Sequence, residues 1–111
     1  MNNKTIYKFD FLKEEIIRRI IPVFQPEKII FFGSYAKGNA TADSDLDILL
    51  EFSEIDNKRK LTIQIRKLFT DFPISKDILV MSREEVSKYK EMKWSVYCNA
   101  IEEGRVIYER K

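Results

Sequence analysis

The chain contains no histidine among its 111 residues. That removes histidine-based triads, histidine general bases and the common zinc sites, leaving carboxylates, hydroxyls, lysines and oxygen-liganded metals to carry any chemistry. A single cysteine, Cys98, excludes an internal disulfide and reads as a small buried residue. Only three glycines and three prolines occur, which argues against disorder and low complexity. No apolar run approaches the roughly 20 residues of a membrane span. Residues 1–4 are not followed by an apolar signal segment, so the expected compartment is the cytoplasm. A strong charge of one sign is also missing. The formal charge is +2, with 20 Lys and Arg against 18 Asp and Glu, so nothing points to membrane contact or to direct nucleic-acid binding.

What is present suits one compact domain over residues 1–111. Hydrophobic residues make up 44%, enough for one core at this length. Phe9, Leu12, Ile16, Ile17 and Ile20 follow helical spacing and predict an amphipathic helix over 9–21, with Asp10 at its start and Pro22 and Pro26 ending it. Residues 28–32 form an apolar, β-prone run between Pro26 and Gly33 and predict a central strand covered on both faces. A second strand is expected over 46–52, with Asp45, Asp47 and Leu49 on one face. Leu61, Ile65, Leu68 and Phe69 mark a second helix with an exposed basic face, stopped by Asp71, Phe72 and Pro73. A third strand follows over 74–81 and contains Asp77.

Ser82 and Glu85 have the spacing of a capping box and predict a third helix. After a bend, Trp94, Tyr97, Ala100 and Ile101 continue helical spacing, with Trp94 and Tyr97 read as part of a core stripe, and Gly104 suits a left-handed helix end. Residues 106–108 predict a short terminal strand or an extended tail. Alternating strands and helices around one sheet give an α/β (α+β) fold, a small mixed β-sheet flanked by helices.

The chemistry concentrates in Gly33 to Asp47. A Walker loop would need Lys and Ser or Thr after its second glycine, but Asn39 and Ala40 follow Gly38. An EF-hand starting at Asp43 would need glycine where Ile48 stands, and Ile48, Leu49 and Leu50 read as buried strand. A glycine at a strand end lets the backbone approach phosphates, amides at a following helical turn offer donors, and Ser34 adds a hydroxyl. Asp45 and Asp47, two apart, project to one side and can share divalent cations, of which magnesium favours carboxylates combined with phosphates and waters. Ser44 reads as a residue that orients the aspartate loop, Lys37 as a surface lysine.

Gly33-Ser34, three residues, Gly38, then Ser44-Asp45-Leu46-Asp47 resembles the signature of the DNA polymerase beta-like nucleotidyltransferase superfamily. Within it the chain is similar to the minimal nucleotidyltransferase (MNT) proteins, down to the ending Glu102-Glu103-Gly104-Arg105-Val106-Ile107-Tyr108. The resemblance implies a magnesium-dependent nucleotidyltransferase using two ions and moving a nucleoside monophosphate, AMP from ATP, to a hydroxyl of a partner protein. Asp45, Asp47 and Asp77 would be catalytic and metal-binding, with Asp77 a base for the acceptor, and Gly33, Ser34 and Ser44 would hold the nucleotide. The implied partner is a HEPN toxin, with this chain as antitoxin, and a homo-oligomer is an alternative source of the wall a lone minimal domain lacks. A second reading is a binding module that neutralises its partner by complex formation, its site vestigial.

Overall fold

A computed structural model describes residues 7–72 and 74–111 of the chain. The expectations for residues 1–4 and for Pro73 therefore lie outside the described residues. The elements run α1 (Phe9–Ile20), β1 (Lys28–Phe32), α2 (Gly33–Lys37), β2 (Leu46–Phe52), α3 (Lys58–Lys67), β3 (Lys76–Ser82), α4 (Arg83–Glu91), α5 (Val96–Glu103) and β4 (Arg105–Glu109). The four strands lie in the order β3-β2-β1-β4. Strand β1 is antiparallel to both β2 and β4, while β2 and β3 are parallel, so the sheet is mixed.

Strand alternation divides the core in two. Ile29 and Phe31 of β1, Ile48 and Leu50 of β2 and Ile78 and Val80 of β3 face α1 and α3, where Leu12, Ile16, Ile20 and Ile65, with Phe69 from the turn after α3, complete the larger cluster. Ile30, Leu49 and Met81 point the other way, onto Val86 of α4 and onto Tyr97 and Ile101 of α5. The three-layer arrangement follows from this: β1, β2 and β3 bear apolar residues on both faces, so both faces of the sheet must be covered there. No helix among the described residues is long and apolar enough to cross a membrane.

The β1 and β2 boundaries coincide with those read from the sequence, whereas other elements differ for local reasons. Helix α3 begins at Lys58, ahead of its first apolar residue, because the Asn57 side chain accepts the Lys60 amide and caps it. Asp10 sits in the first turn of α1, and the capping position is Lys8. Gly104 is extended (φ −70°, ψ 163°), not left-handed. Its glycine requirement is one of space: a Cβ there would come within 2.5 Å of the Ala100 carbonyl oxygen and of Ile30 Cγ2. Trp94 is not in the core stripe either. It precedes α5 and is 85% exposed, while Tyr97 does pack inward against Tyr89 with ring centroids 4.9 Å apart.

The capping box forms as read. The Glu85 amide donates to Ser82 Oγ at 3.2 Å and the Ser82 amide donates to Glu85 Oε1 at 3.1 Å. Because Ser82 also ends β3, this cap fixes the angle at which α4 leaves the sheet. Ser82→Ala should lower stability in a urea titration by about 1 kcal/mol, and a midpoint equal to wild type would show that the cap contributes nothing.

Candidate active site

The sequence pattern places the chemistry where β1 runs into α2. Gly33 takes φ +72°, a left-handed conformation open to glycine, and it turns the chain from the strand into the short helix. Gly38, at φ +79°, ends that helix with its amide on the Ser34 carbonyl. The amides that open a helix have no acceptor within it and present donors outward.

Strand register then brings the carboxylates in. Phe32, the residue before the turn, lies opposite Asp47 in the β1–β2 ladder, and Asp47 lies opposite Asp77 in the parallel β2–β3 ladder. Parallel neighbours in register put their side chains on the same face, so Asp47 and Asp77 stand side by side at one end of the sheet. They share that face with Leu49 and Met81, the residues packed against α4 and α5. The turn packs directly against Asp47, because a Cβ built on Gly33 would overlap Oδ2 of that residue. Asp45 lies one residue before β2 begins and is exposed.

The electrostatics agree with the geometry. Burial pushes the Asp47 carboxyl above the usual carboxylate range, and the negative charges of Asp77 and Asp45 push it further. Mutual repulsion of this kind is relieved by a cation. The donor set is all oxygen and anionic, which suits magnesium, a hard ion that takes one or two carboxylates together with phosphates and waters. Among the described residues no three acidic side chains converge into a cage that encloses an ion by itself, and a magnesium site shared with a polyphosphate needs no such cage.

Ser44 is held by its own loop. Its Oγ accepts the Thr41 amide at 2.8 Å while its amide donates to the Thr41 carbonyl at 3.1 Å, closing the turn that leads into Asp45. Lys37 is exposed, as read, and pairs with Glu103 across 3.7 Å.

One wall of the site was not foreseen. A cleft of about 380 Å³ runs from Gly33, Lys37 and Asp77 to Val96, Asn99, Ala100 and Glu103 of α5. The apolar stripe through Tyr97 and Ile101 is the stronger signal on this helix, and the adjoining face carries a weaker one. The available signal was the recurrence of Val96, Asn99, Ala100 and Glu103 at helical spacing, with polar residues beside the stripe.

Three comparisons bear on this arrangement. The family model described as polymerase beta, nucleotidyltransferase matches residues 14–111. A protein of Methanocaldococcus jannaschii, provisionally named a protein adenylyltransferase, is 38% identical over 82 residues, covering 74% of this chain and 78% of the relative. The fold is similar to that of a provisionally named nucleotidyltransferase from Sulfolobus solfataricus (TM-score 0.62, 18% identity, 93% of this chain and 81% of that one). It is also similar to a chain in the complex of a tri-AMPylated Shewanella oneidensis HEPN toxin with its MNT antitoxin (TM-score 0.54, 16% identity, 91% and 72%).

Proposed function

Since the chain belongs to the polymerase beta nucleotidyltransferase family, we propose that it transfers AMP from ATP to a hydroxyl group of a partner protein, releasing pyrophosphate. The observation that carries the proposal is the register pairing of Asp47 with Asp77 directly beside the Gly33 turn. One group would face the nucleotide's phosphates while the other faces the attacking oxygen.

In this reading Gly33 and Ser34 hold the polyphosphate through backbone amides and the serine hydroxyl. Asp77, the exposed member of the pair, accepts the proton of the acceptor hydroxyl. The acceptor oxygen forms a bond to the α-phosphorus, the bond from that phosphorus to the bridging oxygen of the β-phosphate breaks, and pyrophosphate leaves with the electron pair. Asp45 and Asp47, with Asp77, would hold magnesium, two ions in the fullest form, which supplies charge neutralisation for the attacking and leaving oxygens. Ser44 contributes by fixing the loop that presents Asp45.

The acceptor class rests on the relatives. The archaeal relative carries the name protein adenylyltransferase, and the Shewanella complex contains an AMPylated HEPN toxin. The chain accordingly acts as one minimal domain and as the antitoxin of such a pair, with the partner completing the acceptor side of the cleft.

Incubation of the chain with labelled ATP, magnesium and the HEPN protein of a neighbouring reading frame tests this. Label should enter the partner, and Asp77→Asn should lower the rate by about 10²–10⁴-fold, the usual contribution of a general base. Neutralisation of the toxin with no label incorporated, by wild type and variant alike, would replace catalysis with simple occlusion.

A further inference from the structure

The α5 side of the cleft has no task in the transfer chemistry, and it lines the cleft with apolar side chains, one carboxamide and one carboxylate. Val96, Asn99, Ala100 and Glu103 fall at i, i+3, i+4 and i+7, one helical face turned toward the cleft. The cleft's volume of about 380 Å³ lies in the usual range of small-molecule sites, about 300–1,000 Å³. Leu79 extends the lining from Asp77, two residues along the same face of β3. Tyr97 adds a half-buried ring held by Tyr89 at an interplanar angle of 60°. A purine needs such apolar faces together with one polar partner in the plane of its edge.

Asn99 meets the second need. Its amide presents a donor and an acceptor in one plane, which matches adenine, whose N6 amino group donates and whose N7 accepts. Guanine offers O6 and N7 on that edge, two acceptors, and leaves the amide oxygen without a partner. Glu103, on the same wall, pairs with Lys37 at 3.7 Å, and the amide donors suited to a polyphosphate lie at the Gly33 turn, which leaves the α5 wall for the uncharged base.

We propose that α5 forms the nucleobase subsite and that Asn99 reads adenine there, making the chain selective for ATP over GTP. The inference rests on the nucleotidyltransferase reading for the placement of the polyphosphate at Gly33 and Ser34.

Equilibrium binding of MgATP, MgGTP and magnesium tripolyphosphate to the full chain tests it. Wild type should bind ATP at least about tenfold more tightly than GTP, the discrimination of one bidentate amide contact. Asn99→Leu, a change at an exposed position, should bring that ratio close to one while leaving tripolyphosphate affinity unaltered. Asn99→Asp removes the donor and should weaken ATP. Tripolyphosphate bound normally, with no ATP preference in wild type or with the preference intact in Asn99→Leu, would overturn the base subsite alone. Failure of wild type to bind tripolyphosphate would instead remove the phosphate site and the proposal with it.

Discussion

Asp47→Asn should abolish nucleotidyl transfer and leave the protein at least as stable as wild type. The rate loss expected is about 10³-fold or more, corresponding to about 4 kcal/mol of transition-state stabilisation, the scale on which a bound metal acts. The stability result follows from the raised carboxyl of Asp47. In the folded state this group holds its proton to a higher pH than in the unfolded chain. Its contribution is therefore most favourable below about pH 4, near its unfolded value, and declines as pH rises through the folded value. At neutral pH the ionised carboxylate, repelled by Asp77 and Asp45, costs stability that asparagine would restore.

Thermal melts in EDTA should accordingly place Asp47→Asn at or above wild type at pH 7, with the gap closing toward pH 4. Magnesium with ATP should raise the wild-type midpoint more than that of the variant, since a ligand stabilises in proportion to its binding. A variant that melts well below wild type in EDTA would show that Asp47 is a structural residue, and undiminished transfer would remove it from the active site.

The second large effect is expected at Gly33, measured against Gly38. Both glycines adopt positive φ, 72° and 79°, so a Cβ at either carries the same backbone cost, roughly 1–2 kcal/mol. Their surroundings differ. A Cβ at Gly38 meets nothing within 4 Å, whereas one at Gly33 overlaps the Asp47 carboxylate. Gly38→Ala should thus lose stability but keep activity close to wild type. Gly33→Ala should lose the same stability or more, and its transfer rate should fall by about 10²-fold or more, because a displacement near 1 Å is enough for that. Equal activity losses in the two variants would mean that the turn's conformation, and not its contact with Asp47, is what matters.

Particular residues show how far sequence reading reaches. Strands β1 and β2 were legible to the residue because each is an apolar run with a sharp chemical edge, Gly33 after one and the polar Ser53 after the other. The Ser82–Glu85 cap was legible because its partners are three residues apart and need nothing distant. Local signals misled where packing overrode them. Gly104 looks like a left-handed cap, yet Ile30 and the Ala100 carbonyl leave no room for a side chain, which is a different reason for the same residue. Trp94 keeps helical spacing with Tyr97, but the bend expected there falls between Trp94 and Tyr97, with α5 starting only at Val96, so the tryptophan faces solvent and not the core. The start of β3 moved from 74 to Lys76 because pairing with β2 begins at Leu46.

By itself the sequence determined the glycine turn after β1, the two-residue spacing of Asp45 and Asp47, and the absence of any histidine that could replace a carboxylate in the chemistry. It also determined on which face of its strand each aspartate falls, since alternation is a property of one strand alone. The tertiary structure decided which strand lies beside which and in what register. Asp47 and Asp77 are separated in the chain by helix α3, and only the parallel ladder between β2 and β3 sets them opposite one another. The same holds for α5, whose polar face became a wall of the cleft once Tyr97 and Ile101 were buried against the sheet. Periodicity specifies a face, and burial of two apolar faces at once specifies what that face meets.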